Sequence, residues 1–334
     1  MKKITKLLLY VFLIVSMTAC GKKKETISGT YELPVNKDSN IYADIPLSAT
    51  DGFSSNIAVI GADETNSEGS EKLHSESALL IDATTGEVIF QKNPHKKQYP
   101  ASTTKILTSL LAIKYGDQNA VNTVGNEVII NEDNVVMCDF RIGDQISFDN
   151  AIHGAILRSG NDAAAFLAKF VSKDLDEFAG LMNEEASMLG ATKSHFVNPH
   201  GLYDDNHYTT AYDMYLIFNE AVKYKKFIDV ISCKEYKGTL TRTTKQNQYT
   251  INSHYVNSNK YVNGALAAPK GIKVIGGKAG YTQLAKRSYI MLAEANDHKY
   301  IFVLMRHESL NDTYDDLNYL LGKVPVSKNY ADNE

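Results

Sequence analysis

The chain has 334 residues, of which 43% are hydrophobic, and this is enough for one large domain or two ordinary ones. The formal net charge of -4 argues against a nucleic-acid binder, which usually carries a basic excess. No C-x-x-C pair occurs in the sequence, so a zinc or redox site of that kind is not indicated.

The N-terminus has the pattern of an export signal. Residues 1–3 carry positive charge, residues 7–15 form a short apolar run, and small residues precede Cys20. The run is too short to span a bilayer comfortably as a permanent helix. The stretch resembles a bacterial lipoprotein signal, whose cysteine is lipidated and becomes the mature N-terminus, although Met17 stands where leucine is usual. An ordinary cleaved signal with an incidental cysteine is the alternative.

The chain is predicted to divide into four segments. A lipoprotein signal peptide occupies residues 1–20, a flexible spacer residues 21–72, the catalytic domain residues 73–325 and a tail residues 326–334. The spacer is polar and has no hydrophobic period, as expected for a disordered linker. A small irregular subdomain is the alternative, because residues 57–60 could form a strand.

The folded part is predicted to begin with a β-hairpin. Residues 78–82 and 87–91 are strand candidates, and the turn between them ends in Gly86. Two prolines, Pro94 and Pro100, precede an apolar stretch with helical spacing over residues 106–113. This pattern places Ser102 at a helix N-terminus.

The middle of the chain is predicted to be mainly helical, and the C-terminal part to return to strands. Helices are predicted over residues 148–157, 162–171, 175–189 and 210–224. Residues 234–270 are polar with possible short strands, and stronger strands are predicted over residues 272–278, 287–293 and 300–305, followed by a helix over residues 312–321. This order predicts an α/β (α+β) fold, with a mostly antiparallel sheet flanked by helices and a helical subdomain inserted after the first hairpin.

A serine and a lysine three residues apart form the first chemical motif. Ser102 and Lys105 lie on one face of the predicted helix, so the amine comes back toward the hydroxyl. A hydroxyl beside a desolvated amine is one form of activated nucleophile. Taken alone the pair is weak, because most such pairs are a helix cap and a solvated lysine.

Two further motifs follow in the chain. Ser159, Gly160 and Asn161 lie between two predicted helices, and Lys278 begins a Lys-Ala-Gly sequence on a predicted strand. S-x-x-K, S-x-N and K-x-G in this order form the motif set of penicillin-binding proteins and serine β-lactamases. Each motif is weak by itself, and together, on the expected helix, loop and strand, they are specific.

The resemblance extends beyond the motifs. Residues 79–86, 100–108, 157–164, 198–202 and 209–214 resemble the serine D-alanyl-D-alanine carboxypeptidases of peptidase family S11, the low-molecular-mass penicillin-binding proteins. The resemblance implies a serine β-lactamase/DD-transpeptidase-like fold and a peptidoglycan stem peptide ending in D-Ala-D-Ala as substrate. It also implies β-lactam antibiotics as covalent inhibitors, no metal or organic cofactor, and, with a lipid on Cys20, a place on the outer face of the cytoplasmic membrane.

The resemblance also assigns catalytic roles. Ser102 would attack the carbonyl between the two D-alanines and form an acyl-enzyme. Lys105, neutral in the resting site, would take the serine proton, and Ser159 would relay a proton to the leaving D-alanine.

The substrate-binding roles follow in the same way. Asn161 would bind the substrate amide and help to hold Lys105, and Lys278 would attract the terminal carboxylate. Gly280 allows close approach of the backbone, and the N–H groups of Ser102 and Tyr281 would hold the oxyanion.

Two departures from the family pattern affect carboxylate recognition. Ala279 replaces the usual threonine, whose hydroxyl binds the carboxylate, and Thr282 is the nearby candidate to replace it. The family also uses an arginine near the following strands, for which Arg306 is the nearest candidate and Arg287 a weaker one.

Other readings of the site residues stay open. His200 and His207 fit no strong metal-ligand spacing, so structural hydrogen bonding is the favoured interpretation of both. Alternatives to the carboxypeptidase are a DD-endopeptidase on cross-links and a catalytically weakened module that senses or scaffolds cell wall. A serine β-lactamase is less favoured, because the loop at residues 198–202 lacks glutamate and Gly160 replaces aspartate. Whether Cys138 and Cys233 pair is not decided by the sequence.

Overall fold

A five-stranded antiparallel sheet runs through the centre of the computed structural model, which describes residues 57–61 and 65–326. Every neighbouring pair of its strands is antiparallel. In spatial order the strands are β2 (Glu87–Lys92), β1 (Ser77–Asp82), β9 (His298–His307), β8 (Lys286–Ala295) and β7 (Lys273–Thr282). The predicted hairpin and the three predicted C-terminal strands are thus confirmed, and they share one sheet.

The helices lie between the hairpin and the C-terminal strands, with one after them, as predicted. Among the described residues they are α1 (Lys105–Tyr115), α2 (Phe148–His153), α3 (Asn161–Ala168), α4 (Leu175–Met188), α5 (Ala211–Ala221), α6 (Lys225–Ser232) and α7 (Leu310–Leu321). A 3₁₀ turn (Ala101–Thr104) leads directly into α1, and a π-helical turn (Gly154–Arg158) follows α2. Helix α6 was not predicted as a separate element.

Both faces of the central sheet are covered. Leu79 and Ile81 of β1 pack with the inserted helices, whereas Ala78 and Leu80 pack with α7 on the other face. Side chains alternate between the faces of a strand, so a strand buried on both sides has an unbroken apolar sequence. This explains why the C-terminal strands were readable from apolar runs alone.

A second, smaller sheet is more extensive than the sequence suggested. It consists of β3 (Val121–Thr123), β4 (Gln145–Ser147), β5 (Glu235–Thr243) and β6 (Gln248–Val256), in that order. Strands β5 and β6 are nine residues long, where only short strands were expected. Most of their side chains are exposed or half-buried, so their sequence is polar and carries little hydrophobic signal.

The segment at residues 57–60 packs against helix α5, although the sequence analysis placed it in the spacer. Ala58 is fully buried, and its N–H donates to Tyr215 Oη at 3.0 Å while Tyr212 Oη donates to its carbonyl at 2.9 Å. His95 Nε2 lies 3.0 Å from the Ile60 carbonyl. We therefore propose that the folded domain includes these residues.

Among the helices of residues 57–61 and 65–326, none combines the length and the apolar composition that a membrane span requires. The predicted signal peptide and Cys20 lie outside the described residues.

Candidate active site

The Ser102 hydroxyl lies on the 3₁₀ turn that precedes α1. Ala101 has a φ of 48°, a left-handed conformation that an alanine adopts only when the surroundings impose it. The carbonyl of Ala101 faces Gly201, where a Cβ would lie 1.9 Å from that oxygen, so only glycine fits there. The backbone of Ala101 and its close contact with Gly201 therefore hold Ser102 in a defined position.

The Lys105 amine is surrounded by three oxygens. Its Nζ lies 2.9 Å from Ser102 Oγ, 2.8 Å from Asn161 Oδ1 and 2.6 Å from the His200 carbonyl oxygen. A neutral amine has two N–H groups and one lone pair. Asn161 and His200 can only accept from it, so they take the two N–H groups and leave the lone pair for the Ser102 hydroxyl proton.

The surroundings favour this neutral amine. Lys105 is completely buried, and burial lowers the pKa of its ammonium well below the usual range, with the nearby charge of Lys278 as a second cause. Burial also lowers the pKa of Lys278, to about 7. Two buried amines of like charge therefore disfavour the protonated form of Lys105.

The S-x-N motif follows the π-helical turn and begins with an unusual backbone. Ser159 has a φ of 66°, and Asn161 is the first residue of α3. A Cβ at Gly160 would lie 2.4 Å from Cys138 Sγ, so the cysteine occupies the space of a side chain at this position. The carboxylate of Asp162 accepts from the N–H groups of Cys138 and Phe140, which fixes that neighbouring loop.

The third motif completes the cluster. Lys278 Nζ lies 3.0 Å from Ser159 Oγ and also donates to the Ala279 carbonyl at 2.7 Å. A Cβ at Gly280 would lie 3.0 Å from the Ser102 backbone nitrogen, so β7 passes directly against the turn that carries Ser102. The absence of a side chain at Gly280 permits this contact.

These groups meet in one cavity of about 600 Å³. Its lining includes most of the predicted site residues, namely Ser102, Ser159, Asn161, Lys278, Gly280, Tyr281 and Thr282. Lys105 lies beneath the lining and reaches the cavity through its bond to Ser102. The arrangement therefore joins a serine hydroxyl, a buried amine and a second hydroxyl beside another buried amine.

The predicted arginine lies elsewhere. Arg306 pairs with Glu76 at 3.0 Å and donates to the Leu284 carbonyl, and it is not among the residues that line the cavity. Arg287, the weaker candidate in the sequence, lines the cavity, with its guanidinium 4.7 Å from the centre of the Tyr281 ring. Thr282 also lines the cavity, and its Oγ accepts from the Ala285 N–H at 3.0 Å.

Several groups of the site were not predicted, because their contribution comes from the backbone or from packing. The His200 carbonyl holds Lys105, and the Val136 carbonyl accepts both the backbone N–H and the side-chain amide of Asn161. A carbonyl oxygen is present in every residue, so sequence carries no signal for it. The packing of Cys138 against Gly160 is likewise visible only in three dimensions.

The described residues contain no group of three or more histidine, cysteine, aspartate or glutamate side chains that could hold a metal ion. Cys138 and Cys233 are both free thiols in this part of the chain.

Comparison with known proteins identifies relatives with named activities. The model of the S11 peptidase family, described as D-alanyl-D-alanine carboxypeptidase, matches residues 64–309. D-alanyl-D-alanine carboxypeptidase DacF of Bacillus subtilis strain 168 is 32% identical over 231 residues, which cover 68% of this chain and 55% of the relative. DacA of Escherichia coli K12 is 31% identical over 255 residues, which cover 72% of this chain and 59% of the relative. The chain thus spans between half and two thirds of the length of these relatives.

Solved structures share the fold. The Streptomyces K15 DD-transpeptidase superposes with a TM-score of 0.68 at 23% identity, covering 75% of this chain and 97% of that one. The D-alanyl-D-alanine carboxypeptidase of Mycobacterium tuberculosis H37Rv superposes with a TM-score of 0.63 at 24% identity, covering 75% and 90%. The predicted DD-transpeptidase-like fold is therefore confirmed.

Proposed function

The chain belongs to the D-alanyl-D-alanine carboxypeptidase family, peptidase family S11, and on that premise we propose that it removes the terminal D-alanine from peptidoglycan stem peptides. The observation that carries the proposal is the contact set of the Lys105 amine. Both N–H groups of the neutral amine have acceptors. Its lone pair faces Ser102 Oγ, which lies 2.9 Å from Nζ. A serine held in this way is prepared for nucleophilic attack without any other base.

In the acylation step, the Ser102 oxygen attacks the carbonyl carbon between the two D-alanines while Lys105 takes the hydroxyl proton. The oxyanion forms between the Ser102 and Tyr281 N–H groups. When the tetrahedral intermediate collapses, the C–N bond breaks and Ser159 relays to the leaving amine the proton that Lys105 took, so Lys105 is neutral again. The contact of Ser159 with Lys278 at 3.0 Å supports this role, because the ammonium holds the hydroxyl in place and stabilises its oxygen while the proton passes.

In the second step, water hydrolyses the acyl-enzyme. Lys105 takes a proton from the water as it attacks the ester carbonyl, and the Ser102 oxygen leaves and regains a proton. The products are the shortened stem peptide and free D-alanine. No metal or organic cofactor takes part in either step of this proposal.

The terminal carboxylate would bind at the cationic end of the cavity. Lys278 supplies one positive charge, and we propose Arg287 rather than Arg306 as the second, because Arg287 lines the cavity and its Nε is buried without a hydrogen-bond partner. Replacement of Arg287 by glutamine should raise the KM for a D-Ala-D-Ala peptide about tenfold, whereas Arg306→Gln should leave it nearly unchanged. The opposite ranking of the two variants would restore Arg306 to this role.

Two measurements on the full-length protein test the activity. A fluorescent penicillin should label Ser102 covalently, and D-alanine should be released from diacetyl-Lys-D-Ala-D-Ala. Ser102→Ala should abolish both reactions, with Ser109→Ala, a serine on α1 away from the cavity, as the matched control. Absence of labelling in the unmodified protein would contradict the proposal.

One observation supports an alternative function. Ala279 lacks the hydroxyl that the family pattern places there, and weaker carboxylate binding with slow turnover is the alternative that this change supports. Penicillin labelling without D-alanine release would favour a sensing or scaffolding module. Release of muropeptide monomers from cross-linked dimers would add DD-endopeptidase activity, and rapid penicillin hydrolysis would favour a β-lactamase.

We also propose that the protein is exported and held at the outer face of the cytoplasmic membrane by a lipid on Cys20. The support is the charge and apolar pattern of residues 1–20. Radiolabelled palmitate should be incorporated by bacteria that express the chain, and Cys20→Ala should remove the label and release the protein from membranes. Equal labelling of the variant would overturn the lipid anchor.

A further inference from the structure

The catalytic amine depends on a loop that has no regular secondary structure. The His200 carbonyl, which accepts from Lys105, belongs to residues 197–202, and this stretch is neither helix nor strand. A carbonyl on such a loop keeps its distance to Nζ only if other contacts hold the loop against α1. The contacts that do so are therefore part of the positioning of the base.

One buried histidine joins the loop to the catalytic turn. His207 is 2% exposed, its Nε2 lies 2.8 Å from Thr104 Oγ1, and its Nδ1 lies 3.1 Å from the Val197 nitrogen. The Val197 N–H can only donate, so Nδ1 accepts and carries no proton. The ring is then the neutral Nε2–H tautomer, which donates to the hydroxyl oxygen of Thr104.

We infer that His207 is a positioning residue for Lys105, because it bridges the loop that carries the His200 carbonyl to the residue next to the catalytic lysine. This inference rests on the proposed acyl-transfer function. The ring nitrogens of His207 bond to Thr104 and Val197 rather than to the Lys105 amine, and His207 is not among the residues that line the cavity. It acts through Val197 at the start of the loop and Thr104 at the start of α1.

Other contacts also hold residues 197–202 against the start of α1. Thr108 Oγ1, one turn along α1, donates to the Pro199 carbonyl at 2.6 Å, and Gly201 packs against Ala101. The ring of Phe196 contacts His207 edge to face at 5.5 Å between centres. His207 is thus the only histidine among the described residues that joins the start of the loop to the catalytic turn through both ring nitrogens.

Protonation of His207 would break the bridge. A proton on Nδ1 would place two donors, Nδ1–H and the Val197 N–H, against each other. The titratable groups around the ring are Asp204, which favours the charged form, and His195, Lys105 and His200, which oppose it. Burial lowers the pKa of His207 to about 4, which agrees with a ring that stays neutral at the pH where the enzyme would act.

The test measures penicillin acylation of the full-length protein against pH. His207→Phe keeps the ring volume and removes both hydrogen bonds, and Thr104→Val removes only the acceptor. A loosened loop admits water to Lys105 and raises the pKa of its amine. The acidic limb of the acylation profile should therefore move upward by about one pH unit, so that acylation is about tenfold slower at pH values below this limb.

His195→Phe is the matched control, because His195 Nδ1 contacts only the Asn206 carbonyl outside the bridge, and it should keep the profile of the unmodified protein. His207→Gln, whose amide can still donate to Thr104, should recover part of the lost rate. Rates are referred to the fraction of protein that is labelled at saturation. If His207→Phe does not fold, Thr104→Val alone carries the test. An unshifted limb and an unchanged rate in the folded variants would overturn the inference, whereas failure of the unmodified protein to acylate would overturn the proposed function instead.

Discussion

At the scale of single residues, the site depends on removing water from an amine. Lys105 would be an ordinary solvated cation at the surface, but here it has no exposed area and its two N–H groups meet Asn161 and His200. Burial and the Lys278 charge act in the same direction, against protonation. The surroundings therefore favour a neutral amine that is able to act as the proposed base, and changes at the surrounding residues should be visible in pH profiles.

The missing hydroxyl at Ala279 makes a direct prediction. Ala279→Thr should raise kcat/KM for a D-Ala-D-Ala peptide about tenfold, since a hydrogen bond to a charged group contributes roughly 1.5–3 kcal/mol. The measurement is D-alanine release at substrate concentrations below KM. Ala279→Val, which has nearly the same shape without the hydroxyl, is the control. Equal rates for the threonine and valine variants would mean that Thr282 or another group already binds the carboxylate.

The two lysines predict a bell-shaped dependence of kcat/KM on pH. The acidic limb reports deprotonation of Lys105, and the alkaline limb near pH 7 reports loss of the Lys278 ammonium, whose pKa burial lowers to about 7. Lys278→Arg keeps its charge at all accessible pH values, so its alkaline limb should move to higher pH even if the maximum falls. An alkaline limb that stays in place would show that another group titrates there.

At the scale of elements, the cavity forms where three different backbone geometries meet. A 3₁₀ turn presents Ser102, a π-helical turn ends at Ser159 in the left-handed region, and strand β7 brings Lys278 past Gly280. Non-glycine residues with positive φ are uncommon and are found at functional sites. Ala101 and Ser159 both belong to this class, and both adjoin reacting groups.

The docking of residues 57–60 on α5 gives a prediction at this scale. Tyr215→Phe leaves the buried Ala58 N–H without its acceptor, which should lower the free energy of unfolding by about 1–3 kcal/mol. The expected fall in Tm is about 2–4 °C for each kcal/mol in a domain of this size. Tyr249→Phe on the exposed strand β6 is the control. Equal Tm values for the two variants would indicate that the segment is not docked in solution.

At the scale of the whole molecule, the central sheet closes the fold by bringing the two ends of the domain together. Strand β1 pairs with β9 although more than 200 residues separate them in sequence. Beside this junction, buried Asp316 of α7 accepts from the N–H groups of His74 and Ser75 and contacts His307 Nε2 at 3.0 Å. One carboxylate thus connects the chain before β1, strand β9 and the last helix.

This carboxylate predicts the acid stability of the molecule. Its hydrogen bonds hold the pKa of Asp316 well below the usual range despite burial. A depressed folded-state pKa stabilises the native state above the unfolded value of about 3.9, and this contribution is lost as the pH falls toward the folded value. Asp316→Asn should therefore lower the free energy of unfolding by about 3 kcal/mol at pH 7, and its difference from the unmodified protein should shrink below about pH 4.

Urea unfolding at several pH values measures this difference. Asp315→Asn changes an exposed neighbour on the same helix and should be nearly neutral. A constant difference between Asp316→Asn and the unmodified protein from pH 7 to pH 3 would contradict the assigned role of the carboxylate.

Much of the fold was readable from the sequence, and the exceptions have a common cause. Strands buried on both faces and helices with an apolar period were predicted, because buried positions are occupied by apolar residues and so give a recognisable sequence pattern. The length of strands β5 and β6 was underestimated. These exposed, polar strands are held together by backbone hydrogen bonds, which do not depend on residue type. Arg306 was preferred over Arg287 because position along the chain does not tell on which side of a sheet edge a long side chain lies.

The sequence by itself determined the motif residues, their order, and the class of fold that holds them, because the nucleophile, the amines and the glycines must be particular residue types. Only the tertiary structure decided that Lys105 is buried away from solvent. It also decided that the His200 and Val136 carbonyls complete the site, and that Cys138 fills the space beside Gly160. The physical reason is that desolvation, backbone acceptors and steric exclusion belong to the arrangement of the chain in space, and any residue type can supply them.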